Sequence, residues 1–284
     1  MRLPERRGYP APPELAAIRE QMVAAASKGA WRTGWPRIEE SIAGVRCLRF
    51  VPDGKPRGRV LHAHGGGFRI GCPEAVEPYA VSLVRGCGVE VICPAYRLAP
   101  EHPFPAGLND CLAVARAIGE EESSPLVLSG DSAGGGLAAA AVSIARREGL
   151  NVAGLVLHSP WLDLTLTAKS LHSNGASDPL FSLTAAQEAS SLYLQGWPSD
   201  DPEASPLFAQ VRAFPPTLMS VGSGEVLRDD ARAFHQRLIA QEVQASLVEE
   251  EGMEHTAVVR GSELVGAPRV LCATQAFLMQ VLPA

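Results

Sequence analysis

SPLVLSGDSAGGGLAAAAVSIARR, residues Ser124–Arg147, is the stretch on which the fold turns. Its first seven residues are a short, nearly continuous apolar run, as in a strand covered on both faces. Its last fifteen, Ala133–Arg147, read as an alanine-rich helix. Between them lies Gly130-Asp131-Ser132-Ala133-Gly134, a G-x-S-x-G set between strand and helix. So tight a turn strains the serine backbone and requires flanking residues without a Cβ. It stands the Ser132 hydroxyl at a helix N-terminus, where the dipole favours developing negative charge. A phosphate-cradling loop fits less well, because no Lys-Ser or Lys-Thr follows the glycines.

Outward from this unit, strands and helices alternate. Strands are expected at Val45–Val51, Gly58–His64, Gly88–Pro94, Ser124–Gly130, Val152–Ser159, Pro216–Gly222 and Ala245–Glu250. Helices are expected at Glu74–Arg85, Leu108–Gly119, Ala133–Arg147, Asp229–Gln241 and Pro268–Val281. The alternation predicts an α/β fold with a mostly parallel sheet and helices on both sides. Two segments break the rhythm. Residues 1–42 carry a helix at Glu14–Ser27 and then WRTGWP. Residues 165–214 form a long insertion between two strands, with a helix at Thr184–Leu194 and turn-rich flanks. An insertion of that length inside a compact domain usually has a job, such as a lid.

The chain has 284 residues, 46% of them hydrophobic, enough for a sizeable core. Its formal net charge of −6 and lack of a Lys/Arg run speak against a nucleic-acid partner. The start, MRLPERRGYPAPP, has no apolar h-region, and the longest apolar run, Leu137–Ala145, is too short to span a membrane. Six scattered cysteines without a C-x-x-C pair predict thiols in a reducing compartment and no zinc site. A cytoplasmic protein is expected.

His64-Gly65-Gly66-Gly67-Phe68 follows the second strand directly. A tetrahedral oxyanion needs two or three N–H groups converging on one point, and consecutive glycines let the backbone turn inward. Gly66 and Gly67 are the expected donors, with Ala133 as the third.

With these motifs the chain resembles the hormone-sensitive-lipase-like family of α/β-hydrolases, bacterial carboxylesterases with HGGG and GDSAG motifs. The resemblance extends to YRLAPEHPFPA (Tyr96–Ala106), SPWLDL (Ser159–Leu164), SPLF (Ser205–Phe208) and MEHTA (Met253–Ala257). It implies a catalytic core at 43–164 and 215–284, and a helical cap made of residues 1–42 and 165–214. It also implies hydrolysis of short or medium acyl esters without a cofactor or a metal, and makes a homodimer plausible. Two departures stand out: Gly136 replaces an Asn of many relatives, without a functional reading, and Glu225 replaces their Asp.

A serine hydroxyl needs an adjacent base, and in this fold the order is Ser, acid, His. His255 follows the last strand through EGMEH, at a carboxyl strand end where such sheets place their sites. His235 falls inside a helical pattern and suits solvent or packing. The acid must lie between Ser132 and His255 on a strand-end loop. Asp229 and Asp230 suit the first turn of a helix, where carboxylates meet exposed N–H groups. Glu225 comes directly after the strand PTLMSVG and maps to the acid position of the family's D-x-L-x-D. Asp163 is expected to be a structural acceptor. Arg97 and Glu101 are expected to pair and brace the loop beside the glycines. Phe68, Trp31, Trp35, Phe181 and Tyr193 are candidates to wall an apolar pocket. Two alternatives remain at this stage: the same machinery acting on a lactone or an N-acetyl amide, and an inactive small-ligand receptor on the same fold.

Overall fold

The computed structural model describes residues 3–120 and 125–282, so Ser124 of the quoted strand lies outside the described residues. Among these, one sheet has the strand order β1-β2-β4-β3-β5-β6-β7-β8. The strands are β1 Ile38–Ile42, β2 Val45–Phe50, β3 Arg59–Ala63, β4 Glu90–Pro94, β5 Leu126–Asp131, β6 Val152–His158, β7 Thr217–Gly222 and β8 Ala245–Glu250. β2 runs antiparallel to both its neighbours, and all other pairs are parallel.

The apolar runs are two-sided because the sheet separates two cores. Leu126 and Leu128 of β5 pack on one face with helices α3 (Ala106–Glu120), α4 (Ala133–Arg147) and α7 (Arg228–Ala240). Val127 points the other way, toward α2 (Glu77–Cys87), α8 (Ala257–Arg260) and α9 (Ala267–Val281). This is the period-two alternation of a strand, with both faces apolar.

Three features went beyond the sequence reading. Ile38–Ile42, placed there in the cap segment, is instead the edge strand, paired with β2 from Ile38↔Arg49 to Ile42↔Val45. Its sequence IEESI puts three polar residues between two isoleucines and is largely exposed, so it lacks the apolar run that marked the other strands. Arg97 and Glu101 do not pair with each other. Arg97 forks onto Asp110 and onto Glu5, while Glu101 bonds Arg19 of α1 (Pro13–Ser27) at 2.7 Å. The loop 96–106 thus ties the N-terminal segment to the sheet. Asp229 and Asp230 do sit in the first turn of α7, but their hydrogen bonds lead elsewhere. Asp230 accepts from the amides of Leu162 and Asp163, and Asp229 from the amide of Ser170. Asp163 is an acceptor for Thr165 and Thr167, as expected.

The insertion holds α5 (Ser170–Ser173) and α6 (Leu183–Leu194). No helix among the described residues is long and apolar enough to cross a membrane.

Candidate active site

The chain reverses its direction of winding at β3, which lies between β4 and β5. Such a switch point opens a crevice at the carboxyl ends of the strands. Here it sets the loop after β3 beside the turn after β5, with Ala63 opposite Gly130.

Ser132 occupies that turn with φ 52° and ψ −122°, a strained conformation for a residue with a Cβ. The turn closes because Gly134 lies against the end of β3: a Cβ there would overlap the carbonyl oxygens of Ala63 and His64. Gly136 has a steric reason of the same kind, since its Cβ would come within 2.5 Å of the Trp161 carbonyl oxygen.

β6, β7 and β8 follow in spatial order, and each end contributes one group. Glu225 closes a turn on Gly222, its amide donating to the Gly222 carbonyl at 3.1 Å. Gly222 has no room for a Cβ, which would overlap the Met253 carbonyl oxygen. Glu225 Oε2 lies 2.7 Å from His255 Nδ1, and His255 Nε2 lies 2.9 Å from Ser132 Oγ. Glu225 Oε1 accepts from the Gly222 amide at 2.6 Å and from Ser159 Oγ at 2.8 Å. The carboxylate is 1% exposed, so these donors replace the water it has lost. Burial pushes the His255 pKa down, but the hydrogen bond and charge of Glu225 outweigh it, and the pKa sits above the usual imidazole value.

Four residues around this chain escaped the sequence reading. Ser159, at the end of β6, donates to Glu225 and accepts from the Thr256 amide at 3.0 Å, linking the loops of Glu225 and His255. Asn174 donates to the carbonyls of Ser223 and Glu225. Asp178 accepts from the Val226 amide with one oxygen and from the amides of Leu180 and Phe181 with the other. Ligand atoms of Asp178, Glu225 and His255 come within 4.8 Å of one another, a spacing a cation could use. The carboxylate oxygens of both acids already accept from protein donors, so the cluster reads as a hydrogen-bond network. His62, the fourth, bonds Ser129 and Asp131 below the turn. The signal for Asn174 and Asp178 was the turn-rich SNGASDP, visible but without a partner in the linear sequence.

Gly66 and Gly67 line a cavity of about 210 Å³ together with Ser132, His255, Phe181 and Leu180. Both glycines have positive φ, and their amides have no hydrogen-bond partner among the described residues. The loop is held by its other groups: Gly65 N–H donates to Asp131, Tyr96 O–H donates to the His64 carbonyl, and the Gly66 carbonyl accepts from Arg69 and Ile70. Ala133, at the first position of α4, is buried. A second cavity of about 450 Å³ shares Gly66, Ile70, Asp131 and Thr256 with the first and is lined by Met22, Trp31, Val76 and Val259.

Of the pocket candidates, Phe181 faces the smaller cavity and stacks on His255 with centroids 5.6 Å apart, and Trp31 faces the larger. Phe68, Trp35 and Tyr193 line neither. Phe68 stacks on Tyr193 at 3.8 Å behind the glycine loop, so both are core. Trp35 packs against the second core under Arg85 and donates to the Val51 carbonyl. Aromatic content alone does not separate a wall from a core residue.

The profile of the α/β-hydrolase fold matches residues 60–259. An esterase of Acinetobacter venetianus is 36% identical over 200 residues, spanning 69% of this chain and 66% of that protein. An acetyl-hydrolase of Streptomyces hygroscopicus is 35% identical, spanning 72% and 69%. A solved hormone-sensitive lipase from a metagenome library superposes with a TM-score of 0.89 at 31% identity, covering 97% of this chain and 93% of that one.

Proposed function

The chain belongs to the α/β-hydrolase fold family, among its hormone-sensitive-lipase-like esterases, and from that premise we propose that it hydrolyses short to medium acyl esters through an acyl-enzyme on Ser132. The observation that carries this reading is the unbroken chain from Ser132 Oγ through His255 to Glu225, at 2.9 and 2.7 Å.

His255 Nε2 takes the proton from Ser132 as its oxygen attacks the ester carbonyl. Glu225 fixes the ring with Nδ1–H toward itself and stabilises the imidazolium that forms. The amides of Gly66, Gly67 and Ala133 receive the oxyanion, a role in which one donor is worth about 100- to 1000-fold in rate. His255 then protonates the leaving alcohol and activates water for deacylation. Every step uses groups of this chain and water.

Residues 3–37 and 165–214 act as the cap. The smaller cavity, closed by Leu180 and Phe181, suits a short chain, and the larger takes the bulkier half of the ester.

The test is initial rates on p-nitrophenyl esters from acetyl to dodecanoyl, with wild type and Ser132→Ala side by side. Rates should peak at short chains, and the substitution should remove about 10⁴-fold or more of kcat. Wild-type activity in Ser132→Ala sinks the serine mechanism. A wild type inert on every ester hands the machinery to a lactone or amide.

A further inference from the structure

β3 and β5 run parallel with His62 opposite Ser129, and both side chains are buried. His62 Nδ1 lies 2.9 Å from Ser129 Oγ, and its Nε2 lies 3.1 Å from Asp131 Oδ1. That same oxygen accepts the Gly65 amide at 3.0 Å. Asp131 immediately precedes the nucleophile, and Gly65 immediately precedes the first oxyanion glycine. One carboxylate oxygen therefore joins the two backbone segments whose separation sets the distance from Ser132 to the donors of Gly66 and Gly67. The packing is close enough that a Cβ on Gly65 would overlap Asp131 Oδ2.

We propose that His62 is a positioning residue for the oxyanion loop, acting through Asp131. The inference rests on the serine-esterase reading above. A buried carboxylate stays ionised and fixed only while donors replace its water. Burial pushes Asp131 up, but the hydrogen bond from His62 and the neighbouring imidazoles hold it below the usual carboxylate range. With Nδ1 accepting from Ser129, the Nε2 proton of His62 is directed at Asp131, and Asp131 holds the Gly65 peptide in turn. The effect falls on the transition state, because the Gly66 and Gly67 amides meet a full negative charge only there.

Two substitutions separate the halves of the imidazole. Asn reproduces the position of Nδ1 and reaches Ser129; Gln reproduces that of Nε2 and reaches Asp131. His62→Gln should keep kcat within about threefold of wild type. His62→Asn should lower kcat about 10- to 100-fold with KM within about twofold, and weaken a trifluoromethyl ketone, which forms the tetrahedral adduct, by the same factor. Equal kcat in the two variants, or a change confined to KM, overturns the proposal. If neither variant folds, imidazole ¹⁵N shifts of the wild type decide it: a proton on His62 Nε2 supports the proposal, and a bare Nε2 ends it. Failure of the esterase reading would show separately, as activity surviving in Ser132→Ala.

Discussion

At the carboxyl edge of the sheet, Ser132, Ser159, Glu225 and His255 sit on turns set by neighbouring strands. The Ser132 amide donates to the His158 carbonyl, the Ser159 amide to that of Ser220, and the Ser223 amide to that of Glu250, so each turn is pinned to the next strand. Residues 3–37 and 165–214 combine buried packing, with Leu171, Ala189, Tyr193 and Phe214 in the main core, with ion pairs on the outside. Arg97 clasps Glu5, Arg19 clasps Glu101, and Arg69 clasps Glu188 of α6, all at partly exposed positions. Exposed ion pairs are worth about 0–1 kcal/mol each. Ser132, Glu225 and His255 are thus mounted on turns of the sheet, while Met22, Trp31, Leu180 and Phe181 of the two segments close the cavities. Asn174 and Asp178 reach from the insertion into the turn that carries Glu225.

The largest effect after loss of the nucleophile should come from Glu225→Gln. The amide oxygen can still accept from Gly222 and Ser159, so the turn survives. The amide nitrogen then faces His255 Nδ1 and forces the tautomer that cannot accept the Ser132 proton. A fall of about 10³- to 10⁴-fold in kcat is expected. The pH profile gives a second readout. In wild type the free base of His255 is lost as pH falls through a pKa above the usual imidazole value. Without Glu225 that cause is removed, and the acid limb of kcat/KM should move to lower pH. An unmoved limb would mean that the rigid edge, and not this carboxylate, sets the base.

What could be read from the sequence follows the same division. The G-x-S-x-G turn, the glycine loop and the strand-end positions of Glu225 and His255 are local patterns, each dictated by its neighbours in the chain. Helix α4 spans Ala133–Arg147 as its composition predicts. Ser159, Asp178 and His62 were not legible, because their meaning is a contact made across the fold. Ser159 meets Glu225 at a separation of 66 residues, and His62 meets Asp131 at 69. Asp230 misled for a related reason. Its place in a first helical turn is a local rule, while its buried partners at Leu162 and Asp163 belong to the tertiary structure.

A middle-sized effect tests that reach from the insertion into the turn. Asp178→Ala strips the acceptor from three amides, those of Val226, Leu180 and Phe181. The Val226 amide is the buried one, and a buried donor left unpaired costs about 1–3 kcal/mol. Both the turn that aims Glu225 and the ring stacked on His255 loosen together. A fall of about tenfold in kcat with a lowered Tm is expected, on the scale of a misplaced catalytic group. Asn174→Ala disturbs only the acid turn and should cost less. If Asp178→Ala changes KM alone, the insertion shapes the pocket without steadying the acid.

The smallest effect should fall on stability and leave catalysis alone. Asp230 is buried below the site, with one oxygen satisfied by two amides and Oδ1 without a partner among the described residues. Burial raises its pKa to about 8, against about 3.9 in an unfolded chain. The folded state therefore holds this proton more tightly. The group's contribution to stability is fully present below the unfolded pKa and is lost as pH rises toward the folded one. Asn keeps an oxygen for the Leu162 and Asp163 amides and does not titrate. The Tm of Asp230→Asn relative to wild type should thus climb between pH 4 and about 8 and then level. Differential scanning calorimetry at several pH values reads the slope directly. A gap that stays flat with pH would mean that Asp230 is ionised in the fold, held by donors and not by its proton.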